Sequence, residues 1–123
     1  MRRAATIGVI ASTMLAMSLP ALAATPMSPD DIKTAFGTGT PIDGVAVPGG
    51  RKYSLTLKAD GTAEMTLTND KSTKTGTWHV SKDGYCSKWG DKPERCYKVV
   101  QDGKRWNVLD ASGKTIAHWT KSS

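Results

Sequence analysis

The chain has 123 residues, of which 38% are hydrophobic and 23% are charged, and its formal net charge at neutral pH is +6. A chain of this length builds one domain at most, which excludes large multidomain enzymes and membrane transporters. Its hydrophobic content also excludes a tail that is disordered throughout.

The first 23 residues have the pattern of an export signal. Met1-Arg2-Arg3 is basic, residues 4–19 are uncharged and largely apolar, and Pro20-Ala21-Leu22-Ala23 supplies the small residues of a cleavage site. A membrane-spanning helix needs about 20 apolar residues, more than this run contains. We therefore expect a signal peptide at residues 1–23, no transmembrane anchor, and a periplasmic or secreted mature protein with 15 basic and 11 acidic residues.

A flexible leader is expected at residues 24–27, followed by a short helix. Ser28 suits an N-cap and Pro29 the first helical position, and acidic residues follow in the first turn. Gly37 is a suitable stop. A helix of about eight residues does not stand alone in water, so we expect it to pack against the rest of the domain.

From Gly37 onward, apolar residues recur at every second position, which is typical of antiparallel strands with one face in water. The alternating apolar residues include Tyr53, Leu55, Leu57, Ala63, Met65, Leu67, Trp78, Val80, Trp106 and Val108. The pattern predicts turns at Asp43-Gly44, Gly49-Gly50, Asp60-Gly61, Asn69-Asp70, Asp83-Gly84, Asp102-Gly103 and Ser112-Gly113.

These segments predict a single, mainly β domain at residues 28–123. It consists of an antiparallel meander of seven or eight strands with one short N-terminal helix. An open meander of this length would expose two sheet edges, so we expect it to close into a small barrel or sandwich. The helix would then plug or cover one end.

Cys86 and Cys96 are the only two cysteines. An even number of cysteines in an exported chain favours one disulfide, which would stabilise a loop of this size by about 2–3 kcal/mol. Their spacing differs from a C-x-x-C motif, and no second pair of cysteines or histidines completes a zinc site. We expect a disulfide, no metal and no cofactor.

Four tryptophans are many for a domain with one phenylalanine. Trp78, Trp106 and Trp119 follow the alternation and are interpreted as core residues. Trp89 differs, because it lies between the two cysteines in a polar stretch that we expect to be a loop. There it either packs against the disulfide or is presented for contact with a ligand.

The candidate binding residues are Trp89, Tyr85 and Tyr97, which surround the two cysteines in the sequence. Aromatic side chains are common in ligand pockets of small barrels.

The sequence contains no recognisable catalytic motif. His79 and His118 each stand beside a tryptophan, so alternation places them on the opposite, solvent-facing side of their strands. No nucleophile elbow, metalloprotease motif or calcium loop is present. We therefore expect no catalytic residue and no enzymatic activity. Basic residues are interleaved with acidic ones, and we expect no nucleic-acid partner.

A paired-cysteine block carries a resemblance to a known group of proteins. Its residues are Gly76-Thr77-Trp78-His79-Val80, Gly84-Tyr85-Cys86, Trp89, Cys96-Tyr97-Lys98-Val99 and Asp102-Gly103. With the helix near residues 30–36 and the Asp60-Gly61 turn, the chain resembles a family of small, uncharacterised periplasmic proteins of proteobacteria, a domain-of-unknown-function family. The resemblance implies a secreted β-rich fold with a disulfide, and it supplies no activity.

From the sequence we expect an exported, non-enzymatic, monomeric barrel-like module that binds a small ligand or a cell-envelope partner. The alternative is an inhibitor or accessory protein that acts on another secreted protein through the disulfide-closed loop. A constrained loop suits that task because it loses less conformational entropy on binding.

Overall fold

The computed structural model describes residues 25–122, so the predicted signal peptide at residues 1–23 lies outside the described part of the chain. One helix precedes eight strands. The elements are α1 (Pro29–Phe36), β1 (Ile42–Ala46), β2 (Lys52–Leu57), β3 (Thr62–Leu67), β4 (Thr73–Ser81), β5 (Gly84–Trp89), β6 (Arg95–Asp102), β7 (Arg105–Leu109) and β8 (Thr115–Lys121). None of the helices in this range is long and apolar enough to cross a membrane.

The eight strands form a closed antiparallel barrel in sequence order. Neighbouring strands pair as hairpins, and β1 closes the ring by pairing with β8 from Ile42↔Lys121 to Ala46↔Ala117. The predicted closed, mainly β fold is confirmed, and of the two closures considered it is the barrel. Closure gives every strand a neighbour on both sides.

One predicted turn is wrong. Asp43-Gly44 lies inside β1 and not between strands. Gly44 stands there for a different reason, because the Tyr53 ring from the neighbouring strand occupies the space that a side chain at this position would need. A glycine inside a strand marks such a close approach as well as a turn.

Helix α1 begins and ends where the sequence predicts. The Ser28 hydroxyl accepts a hydrogen bond from the Asp31 backbone N–H at 3.1 Å, and Pro29 is the first helical residue. Ile32 and Phe36 on the inner face are fully buried. The helix packs against β4 and β5 and covers one end of the barrel, as expected.

The predicted flexible leader is tied to the barrel within the described residues. The Met27 backbone N–H donates to the Val99 carbonyl at 2.7 Å, and Pro26 bridges to Val100. The part of β6 that they reach extends past the start of β5 at Gly84, so its edge is free to accept them. This pairing explains why two successive residues of β6 are both buried.

Apolar side chains of the strands and of helix α1 form a core inside the barrel. The core consists of Ile32, Phe36, Ile42, Leu55, Leu57, Ala63, Trp78, Tyr85, Val99, Val108, Ala117 and Trp119. The end of the barrel opposite the helix, which we call the mouth, is formed by the loops at residues 47–51, 68–72, 90–94 and 110–114 and the strand residues next to them.

Candidate functional site

A cavity of about 200 Å³ lies inside the barrel and reaches the mouth. Its innermost wall is formed by buried core residues, and its outer wall by half-buried residues near the ends of the strands. The lining residues are Ala46, Tyr53, Leu55, Leu57, Met65, Tyr85, Ser87, Trp89, Tyr97, Val108, Ile116, Ala117 and Trp119. The wall is therefore mostly aromatic and aliphatic, with hydroxyl groups as its main polar contribution.

All three candidate residues line this cavity. Tyr85 and Trp89 lie on β5 with an even spacing, so both point into the barrel. Tyr97 is the direct cross-strand partner of Tyr85 on β6, and their ring centroids are 5.4 Å apart. Tyr85 is buried, whereas Trp89 and Tyr97 are half-buried towards the mouth.

The sequence predicts that Trp89 lies in a loop, but it is the last residue of β5. It does not pack on the disulfide either, because the odd spacing from Cys86 places the two side chains on opposite faces of the strand. Instead its indole lies against Gly76, its cross-strand partner on β4. Glycine leaves the flat surface on which the indole rests.

Tyr53 is held in a similar way across Gly44 on the neighbouring strand. Its hydroxyl also accepts a hydrogen bond from Trp119 Nε1 at 3.0 Å. The Trp119 ring is buried and lies 5.6 Å from the Tyr85 ring, centroid to centroid. Trp119 on β8 thus contacts a ring from β2 and a ring from β5 across the cavity.

The tyrosine hydroxyls of the cavity remain neutral at physiological pH. Burial raises the pKa of Tyr85 well above its ordinary value, and the nearby Tyr53 and Tyr97 phenols raise it further. Burial also raises the pKa of Tyr53, against the opposing effect of the hydrogen bond from Trp119. Neutral phenols can donate a hydrogen bond to a polar atom of a ligand as well as accept one.

The remaining tryptophans lie towards the helix, as core residues should. Trp78 is buried, and its Nε1 donates to the Lys58 carbonyl at 2.8 Å. Trp106 is half-buried, and its ring meets the Phe36 ring edge to face at 5.0 Å. Within residues 25–122, Trp106 Nε1 is buried without a hydrogen-bond partner. Trp119 differs from the core interpretation in one respect, since it also lines the cavity.

A second cleft, of about 510 Å³, adjoins the cavity at the mouth. Met65 and Trp89 line both the cavity and this cleft, so they separate the two spaces. The outer cleft carries the charged side chains of Lys74, Asp91 and Lys92. A cleft with charged side chains thus lies directly beside the apolar cavity.

The predicted disulfide is present on the outer face of the barrel. Cys86 and Cys96 are direct partners on β5 and β6, with their Cα atoms 3.9 Å apart. It joins the base of the hairpin that carries the loop at residues 90–94.

Beside the disulfide, His79 Nε2 donates to the Glu94 carboxylate at 2.8 Å, and His79 Nδ1 faces the Val80 carbonyl at 3.1 Å. Both ring nitrogens therefore meet oxygen acceptors. The hydrogen bond with Glu94, followed by that with Val80, raises the pKa of His79. The other histidine, His118, is half-buried and donates from Nδ1 to Asn107 Oδ1 at 2.7 Å.

One group of side chains has the composition of a metal site. Potential ligand atoms of His79, Cys86 and Glu94 lie within 4.8 Å of one another. The Cys86 sulfur is bonded to Cys96, however, and a disulfide sulfur is not the thiolate that binds zinc. The remaining imidazole and carboxylate are two donors, fewer than the three or four protein ligands typical of zinc sites.

No protein-family model, curated protein or solved structure matches this chain. The resemblance to small proteobacterial periplasmic proteins therefore stays a prediction.

Sequence reasoning missed several cavity residues. Tyr53, Met65, Ser87 and Trp119 line the cavity beside the three predicted residues. Their alternation shows which face of the strand they occupy, but an inward-facing residue near the closed end and one near the mouth follow the same pattern. Only the combination of strand pairing and the position of the helix shows which end stays open.

Proposed function

We propose that this protein is an exported, non-enzymatic barrel that binds a small apolar ligand in its interior. The observation that carries the proposal is the cavity of about 200 Å³, lined by aromatic and aliphatic side chains and open at the mouth. Binding sites in small barrels are concave, mostly apolar and supplied with a few polar groups. This cavity has that composition.

The size of the cavity limits the ligand. A protein cavity of about 150 Å³ lined by apolar side chains holds a benzene molecule. A space of about 200 Å³ therefore suits one aromatic ring or a short alkyl chain with a small substituent. The mouth cleft gives a larger molecule room to extend beyond Trp89.

The chemistry of the wall supports binding over catalysis. Tyr53, Tyr85 and Tyr97 contribute phenols with raised pKa values, which are weak acids and poor proton acceptors near neutral pH. Ser87 adds a further hydroxyl. These groups orient a ligand through hydrogen bonds, and the aromatic faces supply most of the contact area.

Export is the second part of the proposal. Its supports are the basic and apolar pattern of residues 1–23 and the Cys86–Cys96 disulfide. Disulfides persist in oxidising compartments such as the bacterial periplasm. A monomeric ligand carrier or sensor in the cell envelope is consistent with both.

Toluene is a suitable probe of the cavity. We expect it to shift the NMR resonances of Tyr85, Trp89 and Trp119 in a saturable manner. The variant Ala117→Leu places extra atoms in the cavity wall and should abolish the shifts, whereas Ala59→Leu, at an exposed loop position, should leave them unchanged. Binding that is absent from the wild type, or that persists in folded Ala117→Leu, would contradict the proposal.

The alternative function, inhibition of another secreted protein, is favoured by the hairpin that the disulfide anchors. The loop at residues 90–94 forms the tip of this hairpin, and all of its residues are exposed. An inhibitor acting through this loop would keep its activity in Ala117→Leu and lose it on substitution of Pro93, which lines neither the cavity nor the cleft. A ligand carrier would show the opposite dependence.

A further inference from the structure

The net positive charge of the described chain is concentrated at the mouth. The mouth comprises its four loops and the two strand residues on either side of each loop. The basic residues there are Arg51, Lys52, Lys71, Lys74, Lys88, Lys92, Arg95 and Lys114, and the acidic residues are Asp70, Asp91, Glu94 and Asp110. The rest of residues 25–122 carries seven basic and seven acidic residues, so it is electrically balanced.

Three of the four acidic side chains at the mouth already have partners. Asp70 and Asp110 each accept hydrogen bonds, at 2.7–2.9 Å, from the backbone N–H and hydroxyl of the serine two residues further along. These bonds lower the pKa of both carboxyls. Glu94 is paired with His79. Of the four, only Asp91 lines the mouth cleft.

Lys74 and Lys92 are the two cations of that cleft. The described part of the chain contains three ion pairs, and neither lysine takes part in any of them. With Asp91 they give the cleft a net charge of one positive unit. Trp89 and Met65 border both this charged space and the apolar cavity.

We propose that the ligand is a small amphipathic carboxylate. Its aromatic or short alkyl part occupies the barrel, and its carboxylate lies in the mouth cleft beside the ammonium groups of Lys74 and Lys92. This inference rests on the proposed function and specifies the chemistry of its ligand. A single carboxylate balances the charge of the cleft, and lysine ammonium groups act as adjustable point charges for such an anion. The positive field of the mouth would also attract the anion from solution.

Benzoate and benzamide provide a matched test, because they have nearly the same shape and differ in charge. We expect calorimetric titration to show that wild-type protein binds benzoate about tenfold more tightly than benzamide at low salt. Two exposed charge contacts with the carboxylate are enough for a preference of this size. The advantage should decrease as sodium chloride screens the charges.

The double variant Lys74→Gln/Lys92→Gln should bind benzoate and benzamide with about the same affinity. The control Lys71→Gln/Lys114→Gln removes the same charge from mouth loops outside the cleft, and it should retain most of the preference. An equal loss in both double variants would assign the preference to the general field of the mouth and overturn the assigned site.

The outcomes also separate this inference from the proposed function. If toluene binds in the cavity while benzoate and benzamide bind equally well, the carboxylate assignment fails and the apolar site stands. If toluene does not bind, both fail. Sedimentation with phosphatidylglycerol vesicles that depends on Lys74 and Lys92, without any benzoate preference, would overturn the inference in favour of a membrane surface.

Discussion

The indole of Trp89 rests on the backbone of Gly76, its direct partner across β4 and β5. A methyl group at Gly76 would overlap the Lys88 carbonyl oxygen and lie 2.8 Å from Cε3 of that indole, so both the β5 backbone and the ring would have to move. This pair sets the position of the aromatic side chain that separates the cavity from the mouth cleft. Gly76 is thus a positioning residue for the proposed site.

We predict that Gly76→Ala weakens toluene binding about tenfold, because the displaced indole no longer closes the outer wall of the cavity. The extra methyl group should also lower the free energy of unfolding by about 1–3 kcal/mol, as overpacking usually does. Toluene titration by NMR and urea denaturation measure the two effects.

The matched control is Thr77→Ala, the next residue of β4, whose side chain is exposed. It should change neither binding nor the tryptophan emission spectrum by a measurable amount. Unchanged emission and binding in folded Gly76→Ala would show that the indole is held by other contacts.

The helix end of the barrel gives a second prediction. Phe36 is fully buried and meets the rings of Trp106 and Trp119 edge to face at 5.0 and 5.2 Å. Phe36→Ala should lower the free energy of unfolding by about 3–5 kcal/mol, because it leaves a cavity and removes both aromatic contacts. Thr34→Ala, on the exposed face of the helix, should stay within about 0.5 kcal/mol of wild type in urea denaturation. A small loss for Phe36→Ala would mean that the helix contributes little to barrel stability.

Local signals in the sequence explain how much of the fold could be predicted. Ser28, Pro29 and Gly37 determine the helix bounds through capping, which depends only on nearby residues. Alternation identifies inward-facing residues for the same reason. Closure into a barrel depends on contacts between β1 and β8, which are far apart in the sequence. The alternation alone therefore does not distinguish a barrel from a sandwich.

The candidate site shows more clearly which features cannot be predicted from the sequence alone. Tyr85, Trp89 and Tyr97 were predicted from their closeness to the cysteines, and the structure brings them to one cavity through strand pairing. The loop expected around Trp89 begins only after it, at residues 90–94. Ser87 and Lys88 belong to β5, with Ser87 in the cavity wall and Lys88 exposed. Asp43-Gly44 has the composition of a turn, but pairing with β2 places the Tyr53 ring over Gly44 within a strand.

The disulfide supplies a third prediction. The double variant Cys86→Ser/Cys96→Ser should lose about 2–3 kcal/mol of unfolding free energy, as expected for a bridge between residues 10 positions apart. Both sulfurs lie on the outer face, so toluene binding at a temperature where the variant is folded should stay within about twofold of wild type.

Thiol titration is the accompanying measurement. Denatured wild-type protein without reductant should react with no thiol reagent at Cys86 or Cys96, in keeping with the bond between them. Loss of toluene binding in the folded double variant would mean that the bridge shapes the cavity as well as stabilising the chain.

The His79–Glu94 pair makes stability depend on pH. The hydrogen bond to Glu94, and after it the contact with the Val80 carbonyl, raises the pKa of His79 above its ordinary value of 6.5. A group whose pKa is higher in the folded state binds its proton more tightly there. Its contribution to stability is therefore complete below about pH 6 and disappears as the pH rises through the folded-state pKa.

We predict that wild-type protein is more stable than His79→Gln near pH 5.5 and that the difference vanishes near pH 9. Both side chains of the pair are about half-exposed, so the effect should be small and should decrease with added salt. Urea denaturation at the two pH values measures the difference, and an NMR titration of the His79 ring gives the pKa directly. Glu94→Gln should bring that pKa back towards 6.5. An unchanged pKa in Glu94→Gln would show that the carboxylate does not hold the proton on His79.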